Sequence, residues 1–139
     1  MANPLITNFH YQKVLLGDNE FNKADVTASG ADVELVAGNV LGQIAATEKL
    51  VLLDSAATDG SQYPFGVVFQ DQTVADGVTQ EITVVNKGLV NENLLSFAVG
   101  TTLASTVGAA DNLRTIEAHL NDLGLTLKAS TEMSALDNQ

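Results

Sequence analysis

Between residues 33 and 99 the chain offers no amphipathic stretch long enough for a sustained helix. Six short β-prone runs follow one another instead: "VELVA" (33–37), "NVLGQIA" (39–45), "KLVLLD" (49–54), "FGVVFQD" (65–71), "QEITVVNKG" (80–88) and "LLSFAVG" (94–100). Turn chemistry separates them, in "ATEK", "TDGSQYP" and "VADGVT", with Asp-Gly pairs at 59–60 and 76–77. Glycine takes positive φ without a Cβ clash, so Asp-Gly between apolar runs marks a chain reversal. This punctuation predicts a mainly β, mostly antiparallel domain.

Alternation is clearest in "EITVVNK", where Ile82 and Val84 share one side and Glu81 and Thr83 the other. Gly38, Gly42 and Gly66 sit inside or beside apolar runs, where glycine marks a bulge or a close backbone approach. One helix is expected, over 111–123. Leu113, Ile116, Leu120 and Leu123 fall within an arc of about 80° at 100° per residue. Asp111 suits its N-cap and Gly124 its C-terminal stop. "LTLKAS" (125–130) alternates Leu125 and Leu127 as a final strand would, and 131–139 reads as a tail.

Residues 1–32 differ in character. Asn, Asp and Lys interrupt the apolar residues, and only "FHYQKVLL" has strand propensity. Two readings stand side by side: a flexible N-terminal arm that docks on a partner, or the ordinary first strand of the domain.

Length and charge limit the function. A chain of 139 residues buries roughly two-thirds of its unfolded surface, so one domain can hold a core without disulfides, and there is no cysteine. No apolar run approaches the roughly 18 residues of a membrane span, and the N-terminus shows no secretory pattern. Seventeen acids against six scattered bases give a net charge of −11. That field repels nucleic acid and anionic lipid, so neither is expected as a partner. Two Tyr, five Phe and no Trp leave little from which to build stacking platforms.

The stretch "LLDSAATDGSQYPFGVVFQD" (52–71) is the natural place to look for chemistry. Counted from Asp54 as a calcium loop, the third position is Ala56, the sixth is Asp59 where glycine is required, and the twelfth is Phe65 where glutamate is required. A looser calcium site using Asp54 and Asp59 stays open. The stretch also lacks the Gly-Lys-Ser/Thr ending of a phosphate loop. The two histidines, His10 and His119, are too far apart in sequence for a zinc motif, and no Gly-x-Ser-x-Gly elbow is present. His119 falls at the rim of the helix's apolar stripe, which fits packing better than general-base chemistry. No catalytic residue, metal ligand or cofactor site is predicted.

The order of segments nevertheless resembles a known family. Gly-x-Val-Leu-Gly-x-Ile at 38–44 and Asp-x-Ala-Ala-Thr-Asp-Gly-Ser-Gln-x-Pro-x-Gly-Val at 54–67, then a β meander, then a helix running into "LNDLGLTLKAS", are similar to the lambda-type bacteriophage head decoration proteins. The resemblance covers roughly residues 35 to 130. Gly38, Gly42, Asp59, Gly60, Pro64 and Gly66 are its structural turn positions.

The resemblance implies a compact β-barrel-like domain with one or two short helices and a flexible N-terminal arm. It further implies a non-enzymatic homotrimer on the outer surface of the expanded head, at or near threefold sites, made in the host cytoplasm. Such a trimer clamps major capsid protein subunits against the pressure of packaged DNA. The family's arm adds a strand to capsid elements, and Ile6, Thr7, Phe9 and Tyr11 are the expected contacts here. An alternative is another β-rich surface module, an adhesin or fibre-associated domain, which would need a groove of clustered aromatics. A paired-carboxylate hydrolase would need a cleft holding two acids of displaced pKa.

Overall fold

The computed structural model describes residues 14, 15, 17, 19–107 and 114–129. Eight strands form: β1 (Glu20–Thr27), β2 (Val33–Leu35), β3 (Val40–Gln43), β4 (Leu50–Leu52), β5 (Pro64–Val67), β6 (Gln72–Val74), β7 (Thr79–Asn91) and β8 (Leu125–Lys128). One α-helix, α1 (Ile116–Leu123), precedes β8, and a 3-10 turn spans Glu92–Leu94. The main sheet has six strands in the order β1-β7-β5-β3-β4, with β8 added to β7, and β2 and β6 make a separate two-stranded ribbon. Every pairing is antiparallel except β7 with β8.

The sheet curls into a half-barrel. Its first and last strands approach each other at an isolated parallel bridge between Asp25 and Lys49. The Lys49 ammonium lies 3.5 Å from the Asp25 carboxylate across that seam. Both side chains are partly exposed, so the pair adds under about 1 kcal/mol and marks closure rather than driving it.

Both faces of the sheet are buried. Val40, Val67, Val85 and Val90 pack with Ile116 and Leu120 of α1 and Leu125 of β8. Their neighbours Leu41, Val68, Ile82 and Val84 pack the other way, with Leu35 and Val74 of the ribbon. Consecutive residues thus point into different cores, and each buried Val or Leu contributes roughly 1.5–3 kcal/mol. A strand covered on both sides reads as an unbroken apolar run, which explains why "FGVVF" does not alternate and why the alternation of "EITV" breaks at Val85.

Several expectations shift. Glu20–Thr27 takes the first-strand reading: it pairs along β7 from Lys87 to Thr79, so the main sheet claims residues inside the segment expected as an arm. The helix starts at Ile116, and Thr115, extended at φ −76°, ψ 159°, caps it by accepting from Ala118 N–H. Asp111 and Leu113 lie outside the described residues. Ile116 and Leu120 are fully buried as the stripe requires, and Gly124 ends the helix at φ 122°. "LLSFAVG" is not a strand. Asn91 caps a 3-10 turn there, and Leu95 and Phe97 pack on the core from a bent path. β6 replaces part of a connection, because only Thr73 and Val74 carry strand character in "QTVADG".

The topology also accounts for the long connection 53–63. β4 and β5 flank β3 on opposite sides, and both run antiparallel to it. They are therefore parallel to each other, and no hairpin can join them: the chain must cross over β3 and return to its starting end. Gly42 lies under that crossing. A Cβ there would overlap the Ser61 carbonyl oxygen and come within 2.9 Å of the Ser61 Cα. The register against β5 also slips between Leu41 and Gly42, so the expected bulge and the expected close approach coincide. Gly42→Ala should cost about 3 kcal/mol, the upper end of overpacking penalties. Calorimetry should then read a melting temperature lower by roughly 10 °C. A variant that melts with the parent would show that the loop does not rest on β3.

Candidate functional site

The crossover is built from side chains that hold its own backbone. Leu53 is fully buried and begins it, donating to the Val40 carbonyl at 3.0 Å and accepting from Ala98 N–H at 3.1 Å. Asp54 Oδ1 accepts from Ala56 N–H at 2.9 Å, the short-range bond that makes Asp a turn former. Ser55 N–H donates to Thr101 Oγ1 at 3.1 Å, tying the loop to the 98–101 turn. At the far end Asp59 repeats the device: its Oδ1 accepts from the Ser61 amide at 3.0 Å and the Ser61 hydroxyl at 2.5 Å. Gly60 follows at φ +103°. The Asp59 carbonyl accepts from Ala45 N–H at 2.8 Å, which seats the turn on the β3–β4 connection. Pro64 then opposes Gly42 at the start of β5.

Asp59 is solvent-exposed, and the Ser61 hydroxyl, followed by the Ser61 amide, holds its carboxyl below the ordinary aspartate value. Asp54 and Asp59 each turn one oxygen to a nearby N–H, which is turn chemistry. Among the described residues no group of three or more His, Asp or Glu is placed to hold a metal ion. His119 lies half-buried on α1 with its ring edge-on to Tyr63, centroids 5.2 Å apart at 71°, a packing role at the loop's exit. His10 lies outside the described residues.

The other turn positions serve the same frame. Gly38, at φ +103°, donates to the Val68 carbonyl at 2.7 Å and accepts from Ser96 N–H at 2.9 Å. A Cβ at Gly38 would overlap the Leu94 carbonyl, and one at Gly66 would overlap the Val84 side chain. All six resemblance positions bear on backbone placement.

A second region concerns how the termini join the fold. Ile6, Thr7, Phe9 and Tyr11 lie outside the described residues. The described chain begins at Val14, which is 1 % exposed and so belongs to the core. Its carbonyl accepts from Asn91 N–H at 2.9 Å, and Leu15 bridges Val90 in antiparallel fashion. On the other side of β7, Asn91 pairs with Lys128 of β8. Val14, the first described residue, and β8, the last strand, therefore meet at the same residue, Asn91.

Leu94, three residues further on, is exposed, and so are Val36, beside Gly38, and Val99, at the tip of the Ala98–Thr101 turn. These apolar side chains were not singled out in the sequence because their neighbours read as strand. The Gly100 that lets the turn expose Val99 is the one local signal.

The family described as "Bacteriophage lambda head decoration protein D" matches residues 8–119. The match begins well before residue 35, where the resemblance in the sequence begins, and it includes β1 and the approach to Val14. No curated protein matches the chain. Spanning far more than half of the chain, the family match means that the protein belongs to the phage head decoration family. That family is one of structural capsid proteins, and among the described residues no helix is long and apolar enough to cross a membrane.

The Asp59 carboxylate has a pH signature. Its pKa is lower folded than unfolded, so its contribution is fully present above the unfolded value, near 3.8, and is lost as pH falls through the folded value. Asp59→Asn should melt below the parent at neutral pH, and the gap should close as pH drops below the unfolded value. An unchanging gap in melting scans across that range would show that the charge on Asp59 does not support the turn.

Proposed function

We propose that this head decoration protein binds the exterior of the expanded phage head as a homotrimer, at or near threefold positions, and cements major capsid protein subunits against the pressure of packaged DNA. It is made in the host cytoplasm, joins the virion surface and catalyses no reaction. The family match supplies the capsid as partner. The observation that carries the mechanical reading is the seating of Val14 and Leu15 beside β7.

A cement protein must pass load from its capsid contact into a rigid body. Val14 is buried with Val90, Ile116 and Leu120, and its carbonyl holds the Asn91 amide. A pull on residues 1–13 would therefore act on β7, the longest strand, which pairs with β1, β5 and β8. Strand addition to the capsid by Ile6, Thr7, Phe9 and Tyr11 fits this route, because those residues precede Val14 by only a few positions. Exposed apolar Leu94 near the same exit adds surface for a partner. Threefold symmetry then lets weak arms act together, each further arm binding at high effective concentration.

The test separates arm from core. Truncation should stop at residue 13, since removing Val14 would open the core as well. The truncated protein should melt like the parent yet bind expanded heads at least about tenfold more weakly, because three arm contacts are lost together. The parent should saturate expanded heads, ignore immature ones and sediment as a trimer alone or on heads. Undiminished binding by the truncated protein would remove the arm from the mechanism. A parent that stays monomeric and ignores expanded heads would refute the cement reading itself.

A further inference from the structure

Asp59-Gly60 and Asp76-Gly77 are the two Asp-Gly pairs of the chain, and Asp-Gly is a self-modifying sequence. The glycine amide nitrogen, unshielded by any Cβ of its own, can attack the carboxyl carbon of the preceding aspartic acid. A nitrogen–carbon bond closes a five-membered succinimide, and the carboxyl oxygen departs as water with the amide and acid protons. One water molecule then reopens the ring. Opening at one carbonyl restores Asp; opening at the other yields isoaspartate, which carries the main chain through an extra methylene. The reaction needs no oxidant or cofactor.

We propose that Asp59-Gly60 is a latent isoaspartate site that the Gln62 side chain keeps closed. The attacking atom is the Gly60 nitrogen, and its N–H donates to Gln62 Oε1 at 2.8 Å. That bond keeps the proton on the nitrogen and fixes the direction in which the amide points. The electrophile is restrained as well, because Asp59 Oδ1 accepts two bonds from Ser61 and so stays an ionised carboxylate, the unreactive form. The Asp59 carbonyl is pinned by Ala45 N–H at 2.8 Å, which blocks rotation of the peptide joining the two residues.

Gln62 is the one member of this set whose side chain holds the nucleophile. Asp76-Gly77 is held differently: Gly77 N–H donates to the Ala28 carbonyl at 3.0 Å, and Asp76 Oδ1 accepts from Gly30 N–H at 2.7 Å. Main-chain groups there partner both the nucleophilic amide and the carboxylate, so it is an internal control. Damage at Asp59 would matter because Ser61, two residues on, carries the carbonyl that rests on Gly42. An added methylene there would push the crossover off β3.

The experiment ages the full-length protein at physiological temperature and neutral pH. Isoaspartate is measured at each site by enzymatic methyl transfer and by peptide mapping in heavy-oxygen water. The native protein should convert at Asp59 far more slowly than the same chain unfolded in urea. Gln62→Leu should raise conversion at Asp59 several-fold, with Asp76 unchanged. Gln62→Glu, whose carboxylate still accepts the Gly60 N–H, should behave like the parent. The proposal is overturned if the native site converts as fast as the unfolded chain, or if Gln62→Leu is no faster than the parent. It also fails if Gln62→Glu accelerates as Gln62→Leu does, or if Asp59 and Asp76 accelerate together, since that would report loosening of the whole fold.

Discussion

The Ser61 carbonyl lying against the Cα of Gly42 is the contact on which the rest of the architecture depends. β3 sits between β4 and β5, and the chain can reach both sides only by passing over it. Any side chain at position 42 would lift that passage away from the sheet. With the passage seated, the Asp59 turn meets Ala45, Pro64 meets Gly42, and β5 enters in register to place Val67 and Val68 into opposite cores. A single hydrogen atom in place of a side chain thus lets one loop fix the order of three strands.

The two-sided core follows from this order. Aliphatic residues suffice because α1 and β8 cover one face of the sheet and the β2–β6 ribbon covers the other. A five-per-cent aromatic chain can still close such a core, since Val and Leu in adjacent positions fill both sides at once. The described acids are exposed or half-buried, where their charge favours solubility and works against association with nucleic acid.

In a member of a capsid decoration family the structural concern is how the chain is anchored. Val14 and β8 meet at Asn91, at the end of the longest strand, and Val14 is buried in the core. In the proposed cement role the protein would stay on a finished particle, where turn chemistry that can age, such as the proposed Asp59-Gly60 site, bears on how long it holds.

Much of the fold is legible in the residues because it rests on local rules. Asp-Gly at 59–60 and 76–77 predicts turns, and both glycines take positive φ. Ile116, Leu120 and Gly124 predict the buried face and the end of a helix, and Leu125 and Leu127 predict the last strand. The glycines at 38, 42 and 66 announce close approaches, though not what approaches them.

What remained hidden depends on partners distant in sequence. "LLSFAVG" has a strand's composition, but Ser96 finds its backbone partners in Gly38 and Val40, and Ala98 finds its own in Leu53, so the path bends. Glu20–Thr27 reads equally as arm or as first strand until β7 offers it a full ladder. Composition and spacing by themselves determined a mainly β domain with one terminal helix, an acidic surface and no catalytic motif, because turn preference and periodicity are local. Only the tertiary structure decided that residues 53–63 cross over β3, because that follows from where β4 and β5 lie relative to β3.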